Sequence, residues 1–406
     1  MFDSILYTAS SAPSPLIDVG ALAESLIFYG KVKVAGNTGV LKELTRKIPP
    51  FELLSLLREG RLEIHYLEDQ IGVSSIPTSD SSVLHDLVRI SSPDHTIEKV
   101  ATKTFQSIAG RSGAGIVGAI EFENSLKPLD HSEFDQASIL KMLTDKRAIN
   151  EIVKALIISV APNYTEIDQA RFEIEQTEQG LVVITDIDFV KVNDEYHRIV
   201  SPKHSSIDQA HIISHIQSAY ETAYFAGSLE SEIAVSERER IICAKTISAV
   251  VNRSEMNVNQ VEQFLNLTLG NGRAIREAIN SGEVKFSSIL KLLEKADKFR
   301  HWLAEQPTDA NLLNAFYEET IRDSWLEKLP AKPIRFSVFT ALGLAADTVV
   351  TGGLGTLAGI SIGAVDTFLV DRLIKGWRPH QFVKSSLKPL FFQGAAKKSG
   401  KGFIKN

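Results

Sequence analysis

Two histidines have the spacing at which a helix can bind a metal ion. His211 and His215 lie four residues apart in a stretch predicted to be helical, so both imidazoles fall on one helix face. No glutamate follows His211, so the pattern of the zinc metalloproteases is absent. Polar positions at the edge of an amphipathic helix explain the pair at least as well as a metal site does. We therefore expect neither a resident metal nor another cofactor.

A glycine-rich run offers a second candidate chemistry. Residues 113–118, Gly-Ala-Gly-Ile-Val-Gly, match the G-x-G-x-x-G pattern of dinucleotide-binding proteins. That pattern requires a strand before it and a helix after it. Here a helical pattern precedes it and we predict a strand over 116–122, so the context is reversed. A turn between two elements is the better interpretation.

The C-terminal tail is basic and aromatic. After Asp371 the sequence has nine Lys and Arg residues and no carboxylate, which leaves 35 basic and 50 acidic groups in residues 1–371. This asymmetry predicts a polyanionic partner: an anionic membrane surface, or alternatively nucleic acid or an acidic protein. A tail that only solubilises the chain, or docks on its acidic body, is the plain alternative. The residues that we expect to make the contact are Arg372, Lys375, Trp377, Arg378, Lys384, Lys388, Phe391, Phe392, Lys397 and Lys398.

An apolar, glycine-rich segment precedes the tail. Within residues 336–370 the only charged side chains are Asp347 and Asp366. Two apolar arms flank a central glycine pair, which predicts a helical hairpin, and small residues at four-residue spacing allow helices to pack closely. The positions that characterise this hairpin are Gly343, Asp347, Gly352, Gly353, Gly355, Gly359, Gly363 and Asp366.

The length of the arms argues against two full membrane spans. The arms have 15 and 17 residues, which as helices reach about 22–26 Å and fall short of a hydrocarbon core of about 30 Å. A carboxylate at the centre of a bilayer also costs about 2.5–3.5 kcal/mol. A hairpin that enters from one side, with cations at both flanks, fits better. A hairpin buried in a soluble helical bundle fits the arms equally well, and both alternatives stay open.

Hydrophobic periodicity predicts the organisation of the whole chain. Residues 1–202 alternate strands and helices and are predicted to form an α+β domain. Residues 205–330 carry only helical patterns and are predicted to form an all-α domain, whose first helix opens at a capping box of Ser206 and Gln209. The apolar helical hairpin occupies 334–377 and the basic aromatic tail 378–406. We expect a predominantly helical protein overall.

Composition limits the class of protein. The hydrophobic content of 44% and the charged content of 23% are typical of a folded globular chain. Cys243 is the only cysteine, which fits a reducing compartment, and the N-terminus lacks the charged region of a signal peptide. No residue pattern identifies a reaction, so we lean against an enzyme.

These features together predict a function at a membrane. We expect a cytoplasmic protein that associates with the inner membrane surface through its hairpin and tail, and a membrane-perturbing effector is one form of that role. The alternative is a soluble enzyme or regulatory protein with an internally packed hairpin, whose tail binds nucleic acid or an acidic partner. Neither a substrate nor an oligomeric state follows from the sequence.

Overall fold

The computed structural model describes residues 2–8, 18–78, 83–129, 136–200, 205–234, 241–243, 248–269, 274–306, 311–321 and 379–391. Helices hold most of these residues, and two sheets complete the fold. The predominantly helical composition expected from the sequence is confirmed. The predicted hairpin at 334–377 and most of the tail lie outside the described residues.

The strands form one parallel and one antiparallel sheet. The parallel sheet has the order β6-β3-β2-β1-β9, and the antiparallel sheet has the order β4-β5-β8-β7. In chain order the strands are β1 (Ser4–Thr8), β2 (Lys31–Gly36), β3 (Leu62–Leu67), β4 (Asp69–Pro77), β5 (Val83–Ser91), β6 (Leu126–Leu129), β7 (Phe172–Thr177), β8 (Gly180–Thr185) and β9 (Glu232–Ala234).

Fourteen described helices surround the sheets. In chain order they are α1 (Val19–Phe28), α2 (Thr38–Lys47), α3 (Pro50–Arg58), α4 (Ile97–Ala109), α5 (Ala114–Ser125), α6 (Gln136–Leu143), α7 (Lys146–Val160), α8 (Phe189–Ile199), α9 (Gln209–Ser228), α10 (Ser248–Leu269), α11 (Ala274–Asn280), α12 (Phe286–Ala304), α13 (Leu312–Ile321) and α14 (Pro379–Phe382). A π-helical turn at Val383–Leu387 continues α14, and the chain stays helical through 388–391.

One face of the parallel sheet forms the main core. Leu62, Ile64 and Tyr66 of β3 point to this face and are fully buried, as the alternation in the sequence predicts. Helices from both sides of the predicted domain boundary at residues 202–205 cover it, since Leu22 of α1 and Phe299 of α12 belong to the same core cluster. The strands near the N-terminus and the late helices therefore share one hydrophobic core.

The opposite face of the parallel sheet is partly polar. Phe225 and Ala226, at the end of α9, pack against Leu6 and Ala35 there. Farther along the sheet this face carries a carboxylate, Glu63, whose oxygens lie 2.6 Å from Lys31 Nζ and 2.8 Å from Lys127 Nζ.

The antiparallel sheet belongs to a second core. Helices α6, α7 and α8 pack on it, and Ile149, Ile152 and Phe172 are among its buried residues. Strands β7 and β8 form a hairpin whose turn contains Gly180, at a φ of 143°. Helix α9 joins the two cores, because Ile212 and Ile216 near its start lie in the second core and Phe225 near its end lies on the parallel sheet.

Three sequence predictions of elements were wrong. Residues 116–122 lie in helix α5 and not in a strand, because β-branched residues at positions 116, 117 and 120 imitate a strand pattern. Strand β9 interrupts the supposedly all-helical second half. Helix α9 begins at Gln209 with Asp208 as its N-cap, whose side chain accepts from the backbone N–H of His211 at 2.8 Å, so the predicted capping box does not form.

Candidate functional site

The first part of the predicted basic tail is a helix docked on the body of the protein. This docking helix, residues 379–391, comprises α14, the π-turn and 388–391, and it packs against α12 and α13. Phe382 is 3% exposed, and Leu387 has no exposed surface. The Phe382 ring stacks on Phe299 with centroids 5.1 Å apart. The aromatic side chain of Phe382 in this part of the tail is therefore part of the hydrophobic core.

The docking helix is connected to the sheet through aromatic rings. Phe299 lies 5.6 Å from Trp302 on the same helix and 6.0 Å from Phe28 of α1, measured between ring centroids. Phe264 of α10 lies 5.0 Å from Phe316 of α13. Aromatic pairs at such distances stabilise a core beyond the area that they bury. The docking helix is thus a fixed part of the fold.

The two described cations of the predicted contact set lie on the outer face of this helix. Lys384 and Lys388 are exposed and four residues apart, so they share one face of the helix, whereas Phe382 and Leu387 are buried. Phe391 is partly buried and packs against the main core. Seven predicted contact residues lie outside the described residues: Arg372, Lys375, Trp377, Arg378, Phe392, Lys397 and Lys398.

The helices on either side of the segment that contains the predicted hairpin contact each other. The described chain stops at Ile321, the last residue of α13, and resumes at Pro379, the first residue of α14. Helices α13 and α14 contact one another on α12. Two neighbouring helices therefore stand on either side of these 57 residues in the sequence. The eight residues that characterise the hairpin, from Gly343 to Asp366, lie outside the described residues.

A buried polar network lies where the parallel sheet reverses its strand order. Strand β1 has β2 on one side and β9 on the other, and crevices at such reversals are common ligand sites in α/β proteins. Tyr7 Oη lies 2.8 Å from Ser25 Oγ. Next to it, Glu24 Oε1 accepts from Arg276 Nε at 2.9 Å and from Nη2 at 2.6 Å. Glu24 Oε2 is buried without a hydrogen-bond partner.

A second part of the network joins β9 to α1 and α10. The Tyr29 hydroxyl donates to Glu232 Oε2 at 3.0 Å, and Asn257 Nδ2 donates to both oxygens of Glu232 at 2.8 Å. Burial raises the pKa of Tyr29 well above its ordinary value, and the charge of Glu232 raises it further. The phenol therefore stays protonated and serves as a donor.

The network lacks the arrangement of a nucleophilic site. Burial raises the pKa of Tyr7, so the partner of Ser25 stays protonated and cannot act as its base. Burial also raises the pKa of Glu24, and Arg276 acts in the opposite direction. These groups join α1 to α11, a structural role. Sequence reasoning missed them, although a glutamate inside the apolar run 21–28 was a detectable signal.

The other sequence-predicted chemistry is not assembled. His211 Nδ1 lies 2.7 Å from the capping carboxylate of Asp208. Within the described ranges no group of three or more His, Cys, Asp or Glu residues is placed to hold a metal ion. Of the glycine run, Gly113 is the N-cap of α5 with a φ of 51°, and residues 114–118 lie within that helix. Helix α4 and not a strand precedes the run, so the dinucleotide context is missing. The Cys243 side chain is buried and donates to the Ala219 carbonyl at 3.5 Å.

None of the helices in the described part of the chain is long and apolar enough to cross a bilayer. Comparison with known proteins gives no match to the chain, whether with a protein-family model, a curated protein or a solved structure.

Proposed function

We propose that this protein associates with an anionic membrane surface, with residues 336–370 entering the lipid and the basic residues around them binding the headgroups. The observation that carries the proposal is the contact between α13 and α14, the two described helices on either side of the segment. A hairpin that dips into one leaflet needs this geometry, since its two ends must return to the same surface. The association takes place at the inner, cytoplasmic face.

The charges around the apolar segment support the same proposal. Lys328, Lys332 and Arg335 precede it, and Arg372, Lys375 and Arg378 follow it. Each Lys or Arg close to an anionic leaflet contributes on the order of 1 kcal/mol. Lys384 and Lys388, on the exposed face of the docking helix, extend this group of cations onto the folded body.

The docking helix determines how the proposal is tested. Truncation at residue 336 would also remove Phe382 and Leu387 from the core, so a loss of binding could reflect unfolding. An internal replacement of residues 336–370 by a Gly-Ser linker keeps both packed ends. We expect most of the full chain, and only a small fraction of the replaced chain, to float with phosphatidylserine-containing vesicles. Equal flotation of the two proteins would contradict the proposal.

The tail contribution is tested separately by charge. Reversing Lys397, Lys398 and Lys401 to Glu should weaken vesicle binding, and added salt should weaken the binding of the parent chain in the same way. Leakage of vesicle contents on binding would extend the proposal to a membrane-perturbing effector.

A soluble ligand-binding protein or regulator is the second candidate function. It is favoured by the parallel sheet, whose strand order reverses between β1 and β9 above the buried polar network. In that case the hairpin packs within the protein and the tail meets nucleic acid or an acidic partner. Salt-sensitive binding to DNA or RNA by a chain that ignores vesicles would favour this candidate.

A further inference from the structure

Helices α4 and α5 expose large apolar side chains, at positions far from the tail in sequence. Ile108, at the end of α4, is 51% exposed. On α5, Ile116 is 44%, Val117 66% and Ile120 54% exposed. We call these four residues, which lie on either side of the turn at residues 110–113 in sequence, the α5 tip. Single exposed apolar residues are common on protein surfaces, but Ile116, Val117 and Ile120 are neighbours on one helix, which indicates contact with another apolar body.

The way in which α5 packs makes this exposure unusual. Its buried face consists of Gly115, Gly118, Ala119 and Phe122. A Cβ atom at Gly118 would lie 2.7 Å from Cε1 of Phe105, so α5 approaches α4 closely through its smallest residues. The large β-branched residues of α5 point outward, where they gain no burial and lower the helix propensity. Neither the fold of the helix nor its packing accounts for them.

Three cations and one carboxylate line a cleft beside the tip. Lys103 and Arg111 are exposed and line an open cleft of about 450 Å³ together with Lys99 and Glu98. Within the described residues neither Lys103 nor Arg111 forms an ion pair, whereas Lys99 pairs with Asp94 at 3.2 Å. The nearest carboxylates of α5 are engaged. Glu121 pairs with Arg58 at 2.8 Å, and Glu123 accepts from Thr102 Oγ1 at 3.0 Å.

We infer that the α5 tip inserts into the interface of an anionic lipid surface, with Lys103 and Arg111 at the level of the headgroups. Exposed branched aliphatic residues flanked by unpaired cations match the two layers of such an interface, acyl chains below and anionic groups above. The α5 tip is then a second lipid-facing surface, located on the folded body. It shares the lipid partner with the proposed function but needs no residue of 336–370.

The test places a reporter in the tip. A Val117→Cys variant carries an environment-sensitive dye, and the buried Cys243 does not compete for the label in the folded protein. The label should shift to shorter wavelength with vesicles of phosphatidylcholine and phosphatidylserine, and much less with phosphatidylcholine alone. The same shift should persist when residues 336–370 are replaced by the linker. A label that stays in water while the labelled chain floats with the vesicles would overturn the inference and leave the proposed function standing.

A polar substitution measures the contribution of the tip to binding. The double variant Ile116→Ser/Val117→Ser should lower vesicle affinity at least about tenfold, since two aliphatic side chains lose their burial in lipid. The matched control is Val190→Ser on α8, a site that is 72% exposed and should leave affinity unchanged. Unchanged affinity of the double variant would overturn the inference. Conversion of a dimer to a monomer by the same variant would also overturn it, because the tip would then be a contact between two copies of this chain.

Discussion

Glu24 and Arg276 form an ion pair between the first helix and a helix near the end of the described chain. The Glu24 side chain is 6% exposed and that of Arg276 is 36% exposed. Removing one partner of such a pair leaves the buried charge of the other without a counter-charge. This loss lowers the free energy of unfolding by more than the intact pair contributes to it. Arg276→Met should therefore lower the free energy of unfolding by roughly 3 kcal/mol at neutral pH. Arg147→Met is the matched control, because Arg147 is 91% exposed and its loss should cost less than about 0.5 kcal/mol.

The pH dependence of the same variant follows from the direction of the Glu24 pKa. Burial raises this pKa above its ordinary value, so Glu24 contributes stability that is complete below the pKa of the unfolded chain and is lost as pH rises through the folded pKa. Arg276 opposes the rise, and its removal raises the pKa further. The deficit of Arg276→Met relative to the parent should thus be larger at pH 8 than at pH 5 in urea unfolding. An equal deficit at both pH values would show that Glu24 does not titrate in this range.

Sequence patterns revealed little of the chemistry at single residues. The histidine spacing was correct as a feature of one helix, but the side chain of Asp208 caps that helix and contacts His211, which periodicity cannot show. The pairing of Glu24 with Arg276 joins residues 252 positions apart, and only the tertiary fold brings them together.

At the scale of single elements, the docking helix contributes to the stability of the fold through the packing of Phe382. Phe382 fills a space between α12 and α13, so Phe382→Ala should lower the free energy of unfolding by about 3 kcal/mol, the usual cost of such a cavity. Lys384→Ala on the exposed face of the same helix should change it by less than about 0.5 kcal/mol. Denaturant unfolding measures both, and equal values would mean that the helix is not docked in solution.

Elements with a clear hydrophobic periodicity could be predicted from the sequence, whereas elements that depend on tertiary packing could not. Strands β2 and β3 followed from alternation at Val32, Val34, Leu62 and Ile64. Strands β4 and β5 carry mixed polar and apolar residues on a half-exposed sheet, so their sequences lack the alternation that predicts a strand. The sequence predicts a surface segment for the basic tail, but Val383 and Leu387, four residues apart, are buried together with Phe382. The cations between these apolar residues conceal an amphipathic helix.

At the scale of the whole molecule, basic and acidic residues are distributed unevenly along the chain. Residues 1–371 carry the acidic excess, and two of the nine cations after Asp371, Lys384 and Lys388, lie on the docking helix. The fold explains why one core extends across the predicted boundary at residues 202–205: β9 pairs with β1, and this long-range pairing has no local signal. The uneven distribution of charge, in contrast, could be read directly from the sequence.

The most direct test of membrane association measures the depth of the apolar segment. A dye on Leu357→Cys, in the second arm, reports contact with lipid, because quenchers placed along the acyl chains of the vesicle lipids act only on a probe at their own depth. Insertion predicts strong quenching by acyl-chain quenchers and protection from iodide in the water. A probe on Leu357→Cys that iodide quenches equally with and without vesicles, while acyl-chain quenchers have no effect, would contradict membrane entry of residues 336–370.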